Sequence, residues 1–394
     1  MRTNQTTSVA GVVGDENIQS SISLRSSTKR MSLFVALAIG AAVTASTPAW
    51  ALELSIYGVG HLSADGTDDG ITSSEYIHSN SSRLGFKGSH DVGSGLSVLF
   101  QYESGVDLTG NGTGDGNGGC GAAGTGCNGQ LFTRARDSFT GIKGSFGTLL
   151  LGRFGGLNQW LYDYNLFGDQ IGDLGNIWGG DGLPGRISNA ASYRSPDFSG
   201  FSAGLTYSPD QGVNDAAAQI IKADYANGGL KLGGAYASFG NGANVVVANR
   251  NDTKVNAITG SYDFGAFNLG GGWQRETDIG GVSNADRDKY TLGAAAKVGA
   301  AGTVKVQYAS AGDLDNAVNS GSKQWAVGYD HAWDKNATLY IAYAKTKNDT
   351  GAAYSAVNYG HGDNGVPGIV AGRDPSSISI GLVYKFNESL FPRK

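Results

Sequence analysis

The 394-residue chain is poor in cysteine and proline, and no long hydrophobic run follows its first 51 residues. It has two cysteines and seven prolines against 64 glycines. A helical membrane protein is excluded, because that class needs further apolar segments of about 20 residues. No basic patch points to a nucleic-acid partner. Few prolines and many glycines suit closely packed strands joined by loops that bend freely.

The first 51 residues have the features of an export signal. Two basic residues precede an apolar run from Leu33 to Val43, and Ala49-Trp50-Ala51 supplies the small residues of a cleavage site. An anchor helix is the alternative, but the run is short for a span. We expect cleavage after Ala51 and one mature domain, residues 52–394, with Met31 as an alternative start. Loss of four basic and two acidic residues would move the formal net charge from −5 to −7.

Apolar and polar residues alternate throughout the mature chain. The last such stretch has one apolar face, formed by Ile378, Ile380, Leu382, Tyr384 and Phe386. Because side chains alternate along a strand, this pattern indicates an apolar sheet face backed by a polar one. A soluble sandwich gives the same pattern, but here it recurs about sixteen times, in segments long enough to cross a bilayer as tilted strands. The sequence predicts an all-β transmembrane antiparallel β-barrel of 16 strands.

The predicted strands are joined alternately by short turns and long loops. Strands are expected at 53–62, 81–89, 95–103, 131–143, 147–154, 186–194, 201–208, 218–226, 229–238, 254–263, 266–276, 287–298, 302–310, 322–331, 336–347 and 375–386. The longest connections are 104–130, 155–185, 239–253 and 348–374. Short periplasmic turns and long extracellular loops are typical of outer-membrane barrels.

The polar faces of these strands carry charge. Lys231, Lys297 and Lys305 are expected to point inward, while apolar neighbours face lipid. An unpaired ammonium in an apolar interior is very costly, so the lumen must be wet.

The segment Ser82-Arg83-Leu84-Gly85-Phe86-Lys87-Gly88 resembles the second strand of the Gram-negative general porins. Further matches follow in order at Tyr57-Gly58, at 147–153 and at 193–201, and the resemblance covers the whole mature chain. It implies a sixteen-stranded outer-membrane channel for passive diffusion of ions and small hydrophilic solutes. It also implies a homotrimer in contact with outer-membrane lipid and lipopolysaccharide, with no cofactor and no enzymatic activity.

In that family the third long loop folds into the barrel and narrows it, with acidic loop residues facing basic residues of the wall. The resemblance places the loop at 155–185 and implies four acidic residues, Asp163, Asp169, Asp173 and Asp181. The implied basic wall consists of Arg83, Arg136, Arg153 and Arg194.

Strand parity distinguishes the basic residues of this wall. It supports Arg83 and Arg194 as inward-facing. Arg136 is preferred over Arg134 because it opposes Phe139. Arg153 shares the parity of outward leucines, so its inward position requires a bulge near the rim.

Two positions depart from the family pattern. Val59 stands where a basic residue is usual, which weakens the basic side. Phe386 fits the aromatic residue that usually ends the chain, but residues 387–394 follow it. The net charge of −7 favours cations, whereas the wall arginines favour anions.

Cys120 and Cys127 lie in one glycine-rich loop of an exported protein, so we expect them to form a disulfide. A metal site there lacks neighbouring histidine or further cysteine. The five histidines show no metal-ligand spacing, and no metal site is expected. Asp65, Asp68 and Asp69 lack the ligand pattern of a calcium loop and are expected to be solvated.

Two other functions remain open at this point. An outer-membrane barrel hydrolase would need a Ser-His pair near one rim, and the sequence nominates none. A plugged structural or adhesive barrel would share the strand pattern, but it would not conduct solutes.

Overall fold

The structure is a computed structural model that describes residues 52–109, 132–156, 161–242, 251–362 and 368–391. The expected export signal and the expected Cys120–Cys127 disulfide lie outside these residues. No helix of the described part is long and apolar enough to cross a membrane.

The described residues are almost entirely strand. The strands are β1 (Leu52–Asp68), β2 (Ser73–Ser79), β3 (Arg83–Gly93), β4 (Leu96–Val106), β5 (Phe132–Ala135), β6 (Ser138–Gly144), β7 (Gly147–Gly155), β8 (Arg186–Arg194), β9 (Phe201–Ser208), β10 (Ala218–Asn227), β11 (Leu230–Phe239), β12 (Thr253–Asp263), β13 (Phe267–Thr277), β14 (Arg287–Val298), β15 (Gly302–Ala311), β16 (Ser322–Ala332), β17 (Ala337–Asn348) and β18 (Ser376–Ser389). One short helix, α1 (Gly175–Trp178), and two 3-10 turns, Leu161–Tyr164 and Ile279–Gly281, complete the set.

These eighteen segments form one closed antiparallel sheet of sixteen strands. Consecutive segments pair except β2 with β3 and β5 with β6, and β1 also pairs with β18 from Ser55↔Ser389 to Asp68↔Ser376, which closes the barrel. Both β2 and β3 pair with β1, and both β5 and β6 pair with β4, so each couple is one interrupted strand. The predicted all-β barrel of 16 strands is confirmed.

The outer face of the barrel is apolar and the inner face polar. On β18, Ile378 and Ile380 are 49% and 59% exposed, whereas Ser377 and Ser379 are 2% and 0% exposed. The same inversion places Lys305 inside, 4% exposed, between the outward Val304 and Val306. The apolar outward side chains contact lipid, whereas the polar side chains of the lumen contact water.

The predicted strands agree with the observed ones except in the first loop and at the interruption between β5 and β6. The expected bounds 186–194, 201–208 and 287–298 match β8, β9 and β14. However, β1 continues to Asp68 and β2 follows, so the first loop shrinks to a turn at 69–72. The alternation there was missed because the outward residues Ala64 and Gly66 carry no bulky apolar side chain.

The third long loop, residues 156–185 (loop 3), is described from residue 161 onward, and this part folds inside the barrel. In α1 and just before it, Leu174, Ile177 and Trp178 are at most 1% exposed and join one inner hydrophobic cluster. Burial of each such side chain is worth about 1.5–3 kcal/mol. The wall makes room for the indole at Gly272, where an added Cβ would lie 2.9 Å from Trp178.

A second inner cluster fixes the middle of loop 3. Phe167 and Ile171 are 0% exposed and pack with Ala326 and Ala344 of the wall. The two clusters place the apolar core of the molecule between loop 3 and the inner wall.

Candidate functional site

The four acidic residues of loop 3 have four different environments. Near the start of the loop, Asp163 accepts a hydrogen bond at 2.8 Å from Lys222 of β10 and one at 3.1 Å from Thr259 of β12. Burial raises the pKa of this carboxyl, and the hydrogen bond from Lys222 opposes that shift. Asp163 therefore fastens loop 3 to the wall formed by β10 and β12.

Asp181, near the end of the loop, is bound by two buried cations of β14. Its carboxylate lies 3.1 Å from Arg287 Nη1 and 2.7 Å from Lys289 Nζ. Lys289 is 0% exposed, pairs with Glu276 at 2.5 Å and donates to the Trp178 carbonyl at 3.1 Å. A buried ion pair needs additional hydrogen bonds to offset desolvation. Here the Trp178 carbonyl and Gln274 supply two, while among the described residues Glu276 Oε2 and Arg287 Nε have none.

Asp169 is the member of the acidic set that contacts the predicted basic wall. Its carboxylate lies 3.3 Å from Arg83 Nη1, and the two side chains are 24% and 22% exposed. Arg83 also donates to the Ser81 carbonyl at 2.9 Å. Both charges thus remain in contact with water while they join loop 3 to β3.

Asp173 does not face the lumen, contrary to expectation. It is 0% exposed and accepts hydrogen bonds at 2.7 Å from the backbone N–H groups of Asp169 and Gly175 and at 2.8 Å from Asn165 Nδ2. Burial raises the pKa of its carboxyl to about 7, with a further contribution from the Asp169 charge. Asp173 shapes loop 3 internally and does not line a passage.

Arg136 lies at the interruption between β5 and β6. Its Nε is 2.5 Å from Glu103 Oε1, and Tyr57 donates to the other oxygen of Glu103 at 2.9 Å. Tyr57 and Glu103 both stand opposite Gly85, so they share the inner face with Arg83. Arg136 is held at this face through Glu103, a partner that sequence reasoning missed.

Phe139 faces inward, contrary to the expectation on which the placing of Arg136 relied. Phe139 packs against the inner cluster, with its ring 5.6 Å from that of Phe154. The partners of β4 run from Ser104↔Ala135 to Gln101↔Phe139, so the interrupted strand has one extra residue. An extra residue resets the alternation of faces.

Arg153 does not join the basic wall. A bulge does occur here, but the register from Gly152↔Ala190 to Phe154↔Ile187 places the extra residue on β8, not on β7. Regular alternation on β7 therefore keeps Arg153 on the face opposite Phe154. Its guanidinium donates to the Ala135 carbonyl at 3.1 Å and to the Ser188 hydroxyl.

Arg194 has inward parity but lies at the wrong end of its strand. β8 begins at Arg186 beside loop 3 and ends at Arg194 beside the short turn. At about 3.3 Å per residue, roughly 26 Å separates the two positions. Arg186, which sequence reasoning overlooked, lies at the loop end instead, with its Nε 2.8 Å from Asp137.

Val59, one of the two positions that depart from the family pattern, lies directly beside Arg83. Val59 stands opposite Arg83 in the register of β1 and β3. The missing basic residue therefore leaves Arg83 with an apolar neighbour on the inner face.

Comparison with known proteins shows the family of this chain. A family model described as Gram-negative porin matches residues 35–351. The chain belongs to the Gram-negative porin family. Outer membrane porin protein 32 of Delftia acidovorans is 31% identical over 326 residues, which cover 78% of this chain and 85% of that protein. Major outer membrane protein P.IB of Neisseria gonorrhoeae is 26% identical over 313 residues, 73% of this chain and 84% of that one.

A solved porin structure has the same architecture. The anion-selective porin from Comamonas acidovorans is 26% identical, with a TM-score of 0.69 over 85% of this chain and 100% of that one. Membership in the family makes the protein an outer-membrane porin of the Gram-negative envelope, a channel for ions and small hydrophilic solutes.

Proposed function

We propose that the narrowest cross-section of this porin lies between loop 3 and the wall that carries Arg83 and Arg136. The contact between Asp169 and Arg83 supports this proposal most directly, because it brings the loop against the wall at 3.3 Å. Asp163 and Asp181 anchor the loop to the opposite wall. A solute that moves through the barrel must pass between this loop and the wall.

The charges at this level set the selectivity of the pore. Arg287 and Lys289 balance Asp181 and Glu276, whereas Lys222 is shared between Asp163 and Asp224 and leaves one negative charge there. Arg83 keeps its charge at any relevant pH. Asp169 compensates this charge in the native pair, so removal of the Arg83 charge would leave an uncompensated carboxylate at the narrowest point and favour cations over anions. The structural neighbour from Comamonas acidovorans is described as anion-selective, and this supports testing the basic wall first.

Single-channel recording in a salt gradient tests the proposal. Arg83→Gln removes a positive charge at the narrow level and is expected to raise the permeability of cations relative to anions. Arg194→Gln is the matched control: it removes the same charge beside a short turn, far from loop 3. The reversal potential should move less for Arg194→Gln. If both substitutions move it equally, the constriction is misplaced, and if the purified protein inserts without conducting, the channel itself fails.

We further propose that the protein assembles as a homotrimer. The support is the resemblance of the segments at 82–88 and 193–201 to the trimeric general porins. Native mass spectrometry in mild detergent tests it. A protein that stays monomeric in every mild detergent would contradict the proposal.

We also propose that the porin catalyses no reaction. Ser63, Asp65 and His361 do lie together, an arrangement that resembles a hydrolytic triad. Here Ser63 Oγ and Asp65 Oδ2 both face the same nitrogen, His361 Nε2, at 3.5 and 2.9 Å. A triad needs the two groups on different nitrogens of the imidazole. An esterase assay with activated esters should show no rate difference between the unmodified protein and Ser63→Ala.

A further inference from the structure

Two histidines and an aspartate from three separate segments converge inside the barrel. Asp65 lies on β1, His78 on β2, and His361 on the long loop between β17 and β18. Their candidate ligand atoms all lie within 4.8 Å of one another. The residues are 3%, 0% and 1% exposed. Burial of this kind requires that every charge and lone pair has a partner.

His361 has an acceptor on each side of its ring. Its Nδ1 lies 3.2 Å from the backbone carbonyl oxygen of Asp169, so Nδ1 carries a proton. In a neutral imidazole the other nitrogen, Nε2, then has a lone pair. That nitrogen lies 2.9 Å from Asp65 Oδ2, which is itself an acceptor. Two acceptors facing each other at this distance require a cation between them, either a second proton or a metal ion.

Two further atoms of the cluster that could bind a cation have no hydrogen-bond partner among the described residues. His78 Nδ1 lies 2.5 Å from the same oxygen of Asp65. Across the part of the chain that the structure describes, neither His78 Nε2 nor Asp65 Oδ1 has a hydrogen-bond partner, and both atoms are buried. Each such atom costs about 1–3 kcal/mol when it stays unpaired. A proton at His361 would join only His361 and Asp65, whereas a metal ion at the centre of the cluster can take one ligand atom from each of the three residues.

We propose that Asp65, His78 and His361 bind one divalent first-row transition-metal ion, for which Zn²⁺ is the best match. Two imidazole nitrogens and one carboxylate oxygen are a common zinc donor set, with water as the fourth ligand. Mg²⁺ and Ca²⁺ prefer sites made of oxygen atoms alone. The inference goes beyond the channel function and does not depend on where the constriction lies.

The surroundings of the cluster match those of a metal site. A metal-bound histidine commonly donates its other N–H to a backbone carbonyl, as His361 does to Asp169. Ser63 donates to Asp65 at 3.0 Å, and Asn80 donates to Ser63 at 2.8 Å. These contacts hold the carboxylate and the ring in fixed orientations.

Metal binding at this place ties together distant parts of the chain. His361 comes from the last long loop, whereas Asp65 and His78 belong to the first strands. Because His361 also holds the Asp169 carbonyl, the ion fixes both that loop and loop 3. Occupancy by zinc should therefore order two loops that enter the lumen.

Zinc titration of the full protein in detergent, after treatment with a chelator, tests the proposal. The expected result is one Zn²⁺ per chain by calorimetry and elemental analysis, not displaced by a tenfold excess of Mg²⁺. His361→Ala and His78→Ala should each weaken the affinity at least tenfold. His331→Ala is the matched control, since it removes an exposed imidazole near the short-turn end of β16. Equal affinity in His361→Ala and His331→Ala, or displacement by Mg²⁺, would overturn the proposal.

Cobalt spectroscopy gives a second measurement that needs no variant. Co²⁺ bound to the unmodified protein should show the intense visible bands of a four-coordinate site with nitrogen ligands. These bands decide the matter if His361→Ala fails to fold. A weak six-coordinate spectrum, such as that of Co²⁺ bound adventitiously to surface carboxylates, would contradict the assignment.

Discussion

The carboxylate of Asp181 lies 2.7 Å from Nζ of Lys289, and Glu276 binds the same ammonium at 2.5 Å. One buried lysine of β14 therefore serves a carboxylate of the loop and a carboxylate of the wall. The adjacent Arg287 adds a second cation, 3.1 Å from Asp181. The end of loop 3 is thus held by a cluster of four charges. When one of them is removed, the remaining charges are still partly compensated within the cluster.

This arrangement predicts the effect of Asp181→Asn. Lys289 keeps Glu276, so the barrel should still fold. Arg287 loses its anionic partner, and the lumen gains positive charge, so anion permeability relative to cations should rise. Reversal potentials in a salt gradient measure the change, which should shrink at 1 M salt, where the screening length is about 3 Å.

Asp197→Asn is the control for this experiment. Asp197 caps the short turn before β9 by accepting from the N–H of Gly200 at 3.0 Å. It carries the same charge far from loop 3, so its loss should leave selectivity nearly unchanged. An equal shift in both variants would mean that the overall charge, and not the cluster at Arg287, controls permeation.

The close approach of loop 3 to the wall predicts a steric effect at Gly172. Gly172 has φ +75°, and an added Cβ would lie 2.4 Å from the Cβ of Ala326. Gly172→Ala should therefore push the loop away from β16, with a local cost of about 1–3 kcal/mol. Faster proteolysis within loop 3 and noisier single-channel current are the expected results.

Gly182→Ala separates the steric effect from backbone strain. Gly182 lies in the same loop with φ +85°, but nothing lies within 4 Å of an added Cβ. Both substitutions place an alanine in the strained left-handed region, but only the Cβ of Gly172→Ala clashes with the wall. Equal proteolysis rates for the two variants would remove the case for close packing at Gly172.

The buried carboxyl of Asp173 predicts that the packing of loop 3 depends on pH. Burial raises its pKa from 3.8 to about 7. A carboxyl whose pKa is higher in the packed loop than in the released loop stabilises the packed loop. This stabilisation is complete at a pH below the pKa of the released loop. This contribution is lost as the pH rises through about 7. Loop 3 should therefore be more firmly packed at pH 5 than at pH 8.

Hydrogen exchange of the amides near residues 165–175, corrected for intrinsic rates, measures this dependence. Asp173→Asn cannot ionise, so its protection should vary less with pH. If the unmodified protein and Asp173→Asn show the same profile, another group is responsible.

Much of the barrel could be predicted because strand faces differ strongly in polarity. Leu292 is 65% exposed to the outside and Thr291 is 6% exposed, so the face of β14 is unambiguous in the sequence. The prediction failed where this contrast is weak, as at Ala64 and Gly66. It also failed where an extra residue shifts the alternation, as between β5 and β6, because a bulge leaves no mark in the pattern.

The site was less predictable, since its contacts join residues far apart in the chain. Inward parity alone could have nominated Lys222, Arg287 and Lys289, but nothing in the sequence pairs them with particular loop aspartates. Arg194 was misplaced because parity gives the face of a strand and not the height along the barrel. The spacing of the histidines concealed a cluster in which His361 follows Asp65 by 296 residues.

The pairing of β1 with β18 has a consequence for how the chain is made. β18 runs past Phe386 to Ser389, and the N–H of Leu390 still bonds to the Leu54 carbonyl at 2.8 Å. One edge of β1 therefore stays unpaired until nearly the last residues of the chain have been synthesised. Until then two open edges can recruit another chain. Contacts of such long sequence separation also form slowly. A chain shortened by only a dozen residues should behave as an aggregation-prone sheet and not as a slightly smaller barrel.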